Sequence, residues 1–213
     1  MAFSNAINDI HLLPQHIDEL QKTPFWHLFE AFITNKVKHE RNFGKISKKI
    51  IENYKAKDQT FKIEQENIQL QALDVSLIVG IINGSRDSDL SYSQKIHSNF
   101  IDKRFSGDSE IKISKIKRAL DEAAMGRSRD DVRDVCRLLC LLLIATLLFA
   151  SGGDRLKWKF VYYIENIERM REFDWCTATL SELTSSMNKA HNDASKVTGC
   201  TTLLQVPTPH SFL

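Results

Sequence analysis

Four cysteines and seven histidines are the side chains of this 213-residue chain best suited to bind a metal or to act as nucleophile and base. The cysteines are Cys136, Cys140, Cys176 and Cys200. The histidines are His11, His16, His27, His39, His97, His191 and His210. Zinc sites need such ligands at close spacing, and the chain has no CxxC or HxxxH pair. The sequence therefore predicts no metal and four cysteines that pack as small apolar residues.

A cysteine nucleophile is the one catalytic arrangement that spacing leaves open, because residues distant in sequence can meet in a fold. Cys176 or Cys200 with His191 would form such a pair. The chain contains no Gly-x-Ser-x-Gly, HExxH or phosphate-binding glycine motif. We therefore predict no enzyme activity and no cofactor.

Three carboxylates, Asp130, Asp131 and Asp134, precede the most apolar stretch of the chain. Together they could bind Mg²⁺. Just ahead of a long helix, however, carboxylates more simply stabilise the positive end of the helix dipole. We interpret them as helix-terminal residues.

Basic side chains are concentrated in two segments, residues 36–57 and 112–118. The candidate binding residues are Lys36, Lys38, Arg41, Lys45, Lys48, Lys49, Lys112, Lys115, Lys117 and Arg118. Such residues contact phosphates or acidic proteins, although a solvated helix face is the simplest explanation. The net charge is +2, so no strong overall field attracts nucleic acid. Nucleic-acid binding through these segments, as a nuclear protein, is the alternative function.

Residues 132–150 organise the rest of the chain. From residue 138 to residue 150 only Thr146 is polar, and charged residues flank the stretch on both sides. Thirteen helical residues span roughly 20 Å, less than the roughly 30 Å of a bilayer core. A helix that is apolar on every side must be surrounded. We predict a central buried helix and no membrane span.

The remaining apolar periodicity predicts a mostly α protein of about eight helices, with a small β-hairpin near residues 60–70. Residues 1–22 are interpreted as an N-terminal lead-in, residues 23–206 as one helical domain, and residues 207–213 as a tail. Within the domain, residues 85–108 are predicted to form a polar loop, in which Ile96, Phe100, Ile101 and Phe105 could form one or two helical turns. No signal or transit peptide is evident, which predicts an intracellular protein of the nucleus or cytoplasm.

Residues 156–206 contain a series of motifs, W-x-x-x-x-Y-I-E-x-I, then D-W-x-x-A, then V-x-G-C-x-x-L-L-Q. The positions concerned are Trp158, Tyr163, Ile164, Glu165, Ile167, Asp174, Trp175, Ala178, Val197, Gly199, Cys200, Leu203, Leu204 and Gln205. Their order resembles the C-terminal half of the plant mobile domain, found in transposon-derived plant proteins. Upstream, TPFWHLFE, LDVSLIVGI and VCRLLCLLLIATLLFASGG are similar to that family's opening helix, its Asp-Val element and its apolar central helix. The resemblance covers most of residues 23–206.

The resemblance implies a helical fold associated with transposable elements, and in some members with nuclear silencing or development. Some members are joined to ubiquitin-like-protein proteases, but no protease region is evident here, so that activity is not carried over. We expect a short stand-alone plant protein that acts without catalysis by binding another protein. A regulator, a member of a toxin–antidote-like pair and a homo-oligomer all fit this expectation.

Overall fold

The computed structural model describes residues 2–37, 43–63, 65–86 and 97–204. Within these residues it has ten α-helices. They are α1 (Ala2–Asp9), α2 (Pro14–Leu20), α3 (Trp26–Ile33), α4 (Phe43–Glu52), α5 (Ala72–Val79), α6 (Asn99–Arg104), α7 (Ile113–Met125), α8 (Arg129–Leu143), α9 (Lys159–Ile164) and α10 (Trp175–Ala190). A π-helical turn, Ile144–Leu148, continues α8, and 3₁₀ helices follow at Ile167–Glu172, Ala194–Lys196 and Thr201–Leu204. The predicted mostly α class is confirmed.

Two small antiparallel sheets accompany the helices. The first has the order β1 (Tyr54–Lys55), β2 (Thr60–Ile63) and β3 (Glu66–Ile68), with Phe61 opposite Ile68. This confirms the hairpin predicted near residues 60–70. The second sheet pairs β4 (Ile111–Lys112) with β5 (Arg155–Leu156) and so joins the residues before α7 to those that follow α8.

The central helix α8 begins at an N-cap, Ser128, whose hydroxyl accepts a hydrogen bond from the Asp131 amide. From Leu138 to Ile144 every side chain is fully buried. In the π-helical turn that follows, the Thr146 hydroxyl donates to the Leu142 carbonyl at 2.7 Å, which satisfies a polar group in apolar surroundings. Helices α1, α2, α7 and α9 pack around α8. The predicted buried helix at residues 132–150 is therefore the core of the fold.

The predicted lead-in and the predicted polar loop also contribute side chains to the core. The lead-in, residues 1–22, contributes α1 and α2, which bury Phe3, Ile7 and Leu20. Within residues 85–108, predicted as a polar loop, α6 buries Phe100 and Ile101. Phe100 and Ile101, two apolar side chains in an otherwise polar stretch, thus anchor a short helix to the core.

A backbone crossing joins distant parts of the chain. The Gly84 amide donates to the Phe173 carbonyl at 3.0 Å, and the Arg86 amide donates to the Glu172 carbonyl at 2.8 Å. In the other direction, the Asp174 amide donates to the Arg86 carbonyl at 2.8 Å. A Cβ on Gly84 would lie 2.3 Å from the Glu172 carbonyl carbon, so only glycine fits there. Residues 84–86 and 172–174 are thereby held in contact.

Across the described ranges, no helix combines the length and apolarity that crossing a bilayer requires.

The burial of Leu142 gives the first prediction. We expect Leu142→Asp to unfold the domain, because an unpaired buried charge costs several kcal/mol, on the order of the total stability of a domain. Circular dichroism and urea denaturation measure this. Leu142→Met, which keeps volume and apolarity, is the control and should lose less than about 1.5 kcal/mol. A folded Leu142→Asp variant of normal stability would contradict the assignment of α8 as the core.

Candidate functional site

The basic residues of the sequence prediction are divided among several elements. Lys36 follows α3, Lys48 and Lys49 lie on α4, Lys112 on β4, and Lys115, Lys117 and Arg118 on α7. Lys38 and Arg41 lie outside the described residues, and only the backbone of Lys45 is described, within α4. Helix α4 packs against β2 and two 3₁₀ helices, whereas α7 packs against α8 and β4. The two basic segments therefore rest on different parts of the domain.

Three of these cations have acidic partners. Lys48 pairs with Glu52 at 3.9 Å, Arg118 pairs with Glu122 at 3.6 Å, and Lys115 pairs with Asp108. Exposed pairs of this kind contribute about 0–1 kcal/mol each and reduce the positive charge available to a ligand. Nucleic-acid binding through residues 36–57 and 112–118 stays a prediction.

The carboxylates considered for Mg²⁺ belong to an ion-pair network between α6 and α8. Arg104 on α6 donates to Asp134 at 2.8 Å and also pairs with Asp131, which accepts from Lys103 at 2.7 Å. Arg137 adds a second pair to Asp134 at 3.0 Å. The side chains of Arg104 and Asp134 are only 6% and 3% exposed. Among the described residues no group of acidic, His and Cys side chains is arranged to hold a metal ion.

The surroundings of Asp131 favour its charged form. Hydrogen bonds from Lys103 and Ser128, and a further one from Arg104, hold the pKa of this carboxyl well below its usual range. Glu165, further along the chain, has the opposite shift, because burial raises its pKa. Asp131 therefore stabilises the fold as a carboxylate, which fits its position at the start of α8.

The four cysteines are free and buried, which confirms them as packing residues of the core. Burial raises the pKa of Cys176 to about 12, with a further contribution from the Asp174 charge, and burial raises the pKa of Cys200 to about 12. A thiol nucleophile needs a lowered pKa and access to substrate. The environment of both sulphurs is thus unfavourable to the cysteine–histidine arrangement with His191.

The motif residues shared with the plant mobile domain are mainly structural. Trp175 is fully buried, lies 5.0 Å from Phe25 between ring centroids, and donates its indole N–H to the Met170 carbonyl at 2.8 Å. Asp174 caps α10 through the Thr177 amide. The other buried members are Tyr163, Ile164, Ile167, Ala178, Cys200, Leu203 and Leu204. These buried motif residues build the core and are not available to a binding partner.

Helix α5 has the clearest exposed apolar surface among the described residues. Leu73 and Leu77, one turn apart, are 58% and 59% exposed, while Val75 and Val79 on the opposite side are buried. The one charged residue of α5 is Asp74, whose buried carboxylate accepts the Gln71 amide at 2.8 Å and caps the helix. The outer face of α5 is therefore uncharged and apolar.

A groove of about 440 Å³ lies next to this helix. It is bounded by the three-stranded sheet, by residues 69–70, which lead into α5, and by α10, which packs against α5. The volume falls within the range of roughly 300–1,000 Å³ that is typical of ligand sites. The sequence did not predict the exposed face of α5, because Leu73 and Leu77 belong to a run that is apolar throughout and gives no sign of which side faces solvent.

A second cleft, of about 720 Å³, lies at the surface between α2 and the start of α8. Its charged residues have both signs, since Asp18 and Glu19 face Arg127 and Arg129, and Glu19 already pairs with Lys22 at 2.6 Å. This mixture favours no one class of ligand.

Comparison with known proteins identifies the family of the chain. The family model described as "Domain of unknown function (DUF8566)" matches residues 11–205. The chain belongs to this family. Protein MAIN-LIKE 1 of Arabidopsis thaliana is 25% identical over 170 residues, which cover 73% of the chain and 33% of that relative. The chain thus spans about a third of the relative's length. The resemblance to the plant mobile domain is confirmed, and no solved structure matches.

The ion-pair network of this DUF8566 member gives a second prediction. We expect Arg104→Met to lower the free energy of unfolding by about 3 kcal/mol, because it removes a partner from the buried Asp134 carboxylate. Arg104→Met combined with Asp134→Leu should recover part of the loss, since the most deeply buried carboxylate is then removed and Asp131 keeps Lys103 as its partner. Arg118→Met, at an exposed pair, is the control and should change stability by less than about 1 kcal/mol. Equal losses in Arg104→Met and Arg118→Met, by urea denaturation, would contradict the role of the network.

The lowered pKa of Asp131 gives a third prediction. Because the unfolded carboxyl binds protons more readily, its contribution to stability is complete above the unfolded pKa of about 4 and is lost as pH falls below it. We expect Asp131→Asn to be less stable than the wild type at pH 7, with the difference shrinking toward about pH 2. Urea denaturation across this pH range measures the difference. If the difference in free energy of unfolding between the two proteins stays constant with pH, the charge of the Asp131 carboxylate is not its cause.

Proposed function

We propose that this protein is a non-enzymatic protein-interaction module that binds another protein through the outer face of α5. The observation that carries the proposal is the exposure of Leu73 and Leu77 on a short helix without outward charge. Burying a leucine side chain against a partner contributes about 1.5–3 kcal/mol, so two such residues can anchor an interface.

The absence of catalysis is part of the proposal. Cys176 and Cys200 are buried with raised pKa values, and Asp131 and Asp134 are engaged in ion pairs with cationic side chains. These groups stabilise the fold and leave binding through an exposed surface as the function that the geometry favours. We place this activity inside the cell, in the nucleus or cytoplasm.

The relation to the plant mobile domain supports a transposon-derived origin. A helical domain of this origin can be recruited as a regulator or as one member of a toxin–antidote-like pair. In either role it acts by occupying a surface of another protein, which is what an exposed apolar helix face provides.

Affinity capture from plant extract tests the proposal. We expect the tagged wild type to retain a defined set of proteins that Leu73→Ala with Leu77→Ala loses by about tenfold or more. Quantitative mass spectrometry measures the recovered set. Both leucines are already largely exposed, so the substitutions should leave the fold intact.

The matched control is Met125→Ala, which also removes an exposed apolar side chain, 81% exposed, at the end of α7. It should retain the partners that the α5 variant loses. Identical recovered sets for wild type and α5 variant would overturn the assignment of α5 as the interface.

A further inference from the structure

The groove beside α5 has an apolar floor. Tyr54, Phe61 and Met187 are buried there, and the two rings lie 5.1 Å apart. The Tyr54 hydroxyl donates to Asn188 on α10 at 2.9 Å, which fixes the sheet against that helix. Because this floor is held from both sides, the groove is preformed rather than created by a ligand.

One wall of the groove is a continuous stripe along α10. Its lining positions are 180, 181, 184, 185, 188 and 189, a spacing that keeps them on one face of the helix. Leu180 and Lys189, at opposite ends of the stripe, are separated by about 13 Å along the helix axis. An extended chain covers that length in about four residues. The groove is therefore long enough for a short extended segment.

Charge in the groove comes from one residue. Lys189 is the only ionisable cation among the lining residues, is exposed, and has no ion-pair partner among the described residues. It also lines a second cavity of about 200 Å³, together with Lys196 and Glu182. Lys196 is paired with Asp193 at 3.0 Å, which leaves Lys189 as the cation free to meet a ligand.

We propose that this groove binds an extended, acidic segment of a partner protein. An apolar side chain packs at the Leu70–Leu180 end, and a carboxylate about four residues away pairs with Lys189. The inference rests on the proposed function and names the chemistry of the partner. It depends on charge complementarity, because a lone unpaired ammonium at the end of an otherwise uncharged groove favours an anionic side chain over a cationic one.

Other occupants fit the groove less well. A nucleic acid gains its affinity from several phosphate contacts, whereas the groove has one lysine and an apolar floor. A second copy of the chain would have to place an acidic segment in the groove, and sedimentation distinguishes that case from a separate partner.

Two synthetic peptides of about ten residues test the proposal, since that length spans the groove with flanking residues on either side. Both carry fluorescein and a Gly-Ser background with a leucine, followed four residues later by glutamate in one peptide and by lysine in the other. Fluorescence anisotropy at about 50 mM salt, where surface charges are weakly screened, measures their affinities for the full chain. We expect the acidic peptide to bind about three- to tenfold more tightly than the basic peptide.

Substitutions in the groove test whether Lys189 and the groove itself are responsible for peptide binding. Lys189→Glu should reverse the order of the two peptides, and Lys117→Glu, an equal charge change on α7, should leave the order unchanged. Ser181→Trp should weaken both peptides at least about tenfold by filling the groove, since position 181 is exposed and tolerates a larger side chain. Circular dichroism checks that each variant is folded.

Three results would overturn the inference: equal affinity of the two peptides, an effect of Lys117→Glu as large as that of Lys189→Glu, or no binding of either peptide. A dimer in sedimentation that Lys189→Glu dissociates would also overturn it and assign the groove to a second copy. None of these results depends on Leu73 or Leu77, so loss of the groove proposal is distinguishable from failure of the α5 interface.

Discussion

The need to cover one helix on every side governs this structure. From Leu138 onward helix α8 is apolar around its whole circumference, and an uncovered side there would expose several leucines to water at a cost of about 25 cal/mol for each Å². Helices α1, α2, α7 and α9 meet this need with their inner faces. Helices α5 and α10 instead pack on each other, and the exposed leucines and the groove occur there. The candidate binding surface thus lies on helices outside the group that covers α8.

Much of the fold could be predicted because its signals are local. Ser128 and Asp174 are of residue types that favour the N-cap position, and each accepts a hydrogen bond from the amide three residues further on. The apolar run of residues 138–150 indicated burial because it contains no polar stripe that could face solvent. By contrast, the apolar spacing of residues 156–172 favours one helix, whereas these residues form the end of β5, then α9 and a 3₁₀ helix. The pairing of β5 with β4 involves residues more than 40 positions apart, which local periodicity does not encode.

The candidate site was less predictable, because it depends on which side of an element stays uncovered. Leu73 and Leu77 looked the same as Val75 and Val79 in an apolar run, and only packing against α10 separates the exposed pair from the buried pair. Arg104 looked like part of a polar loop, yet it is buried because Asp131 and Asp134 lie opposite it on α8. Lys189 had no neighbouring cations in sequence and was not in either basic segment.

The crossing of residues 84–86 with residues 172–174 bears on how the chain is made. Arg171, beside that crossing, also donates to the carbonyls of Thr23 and Gln21, so the C-terminal third completes hydrogen bonds of the first helices. A ribosome releases α2 long before α8, and the side of α2 that packs against α8 stays uncovered until then. The nascent protein therefore exposes that side of α2 until residues 129–143 have been synthesised, an interval in which a chaperone has an apolar target.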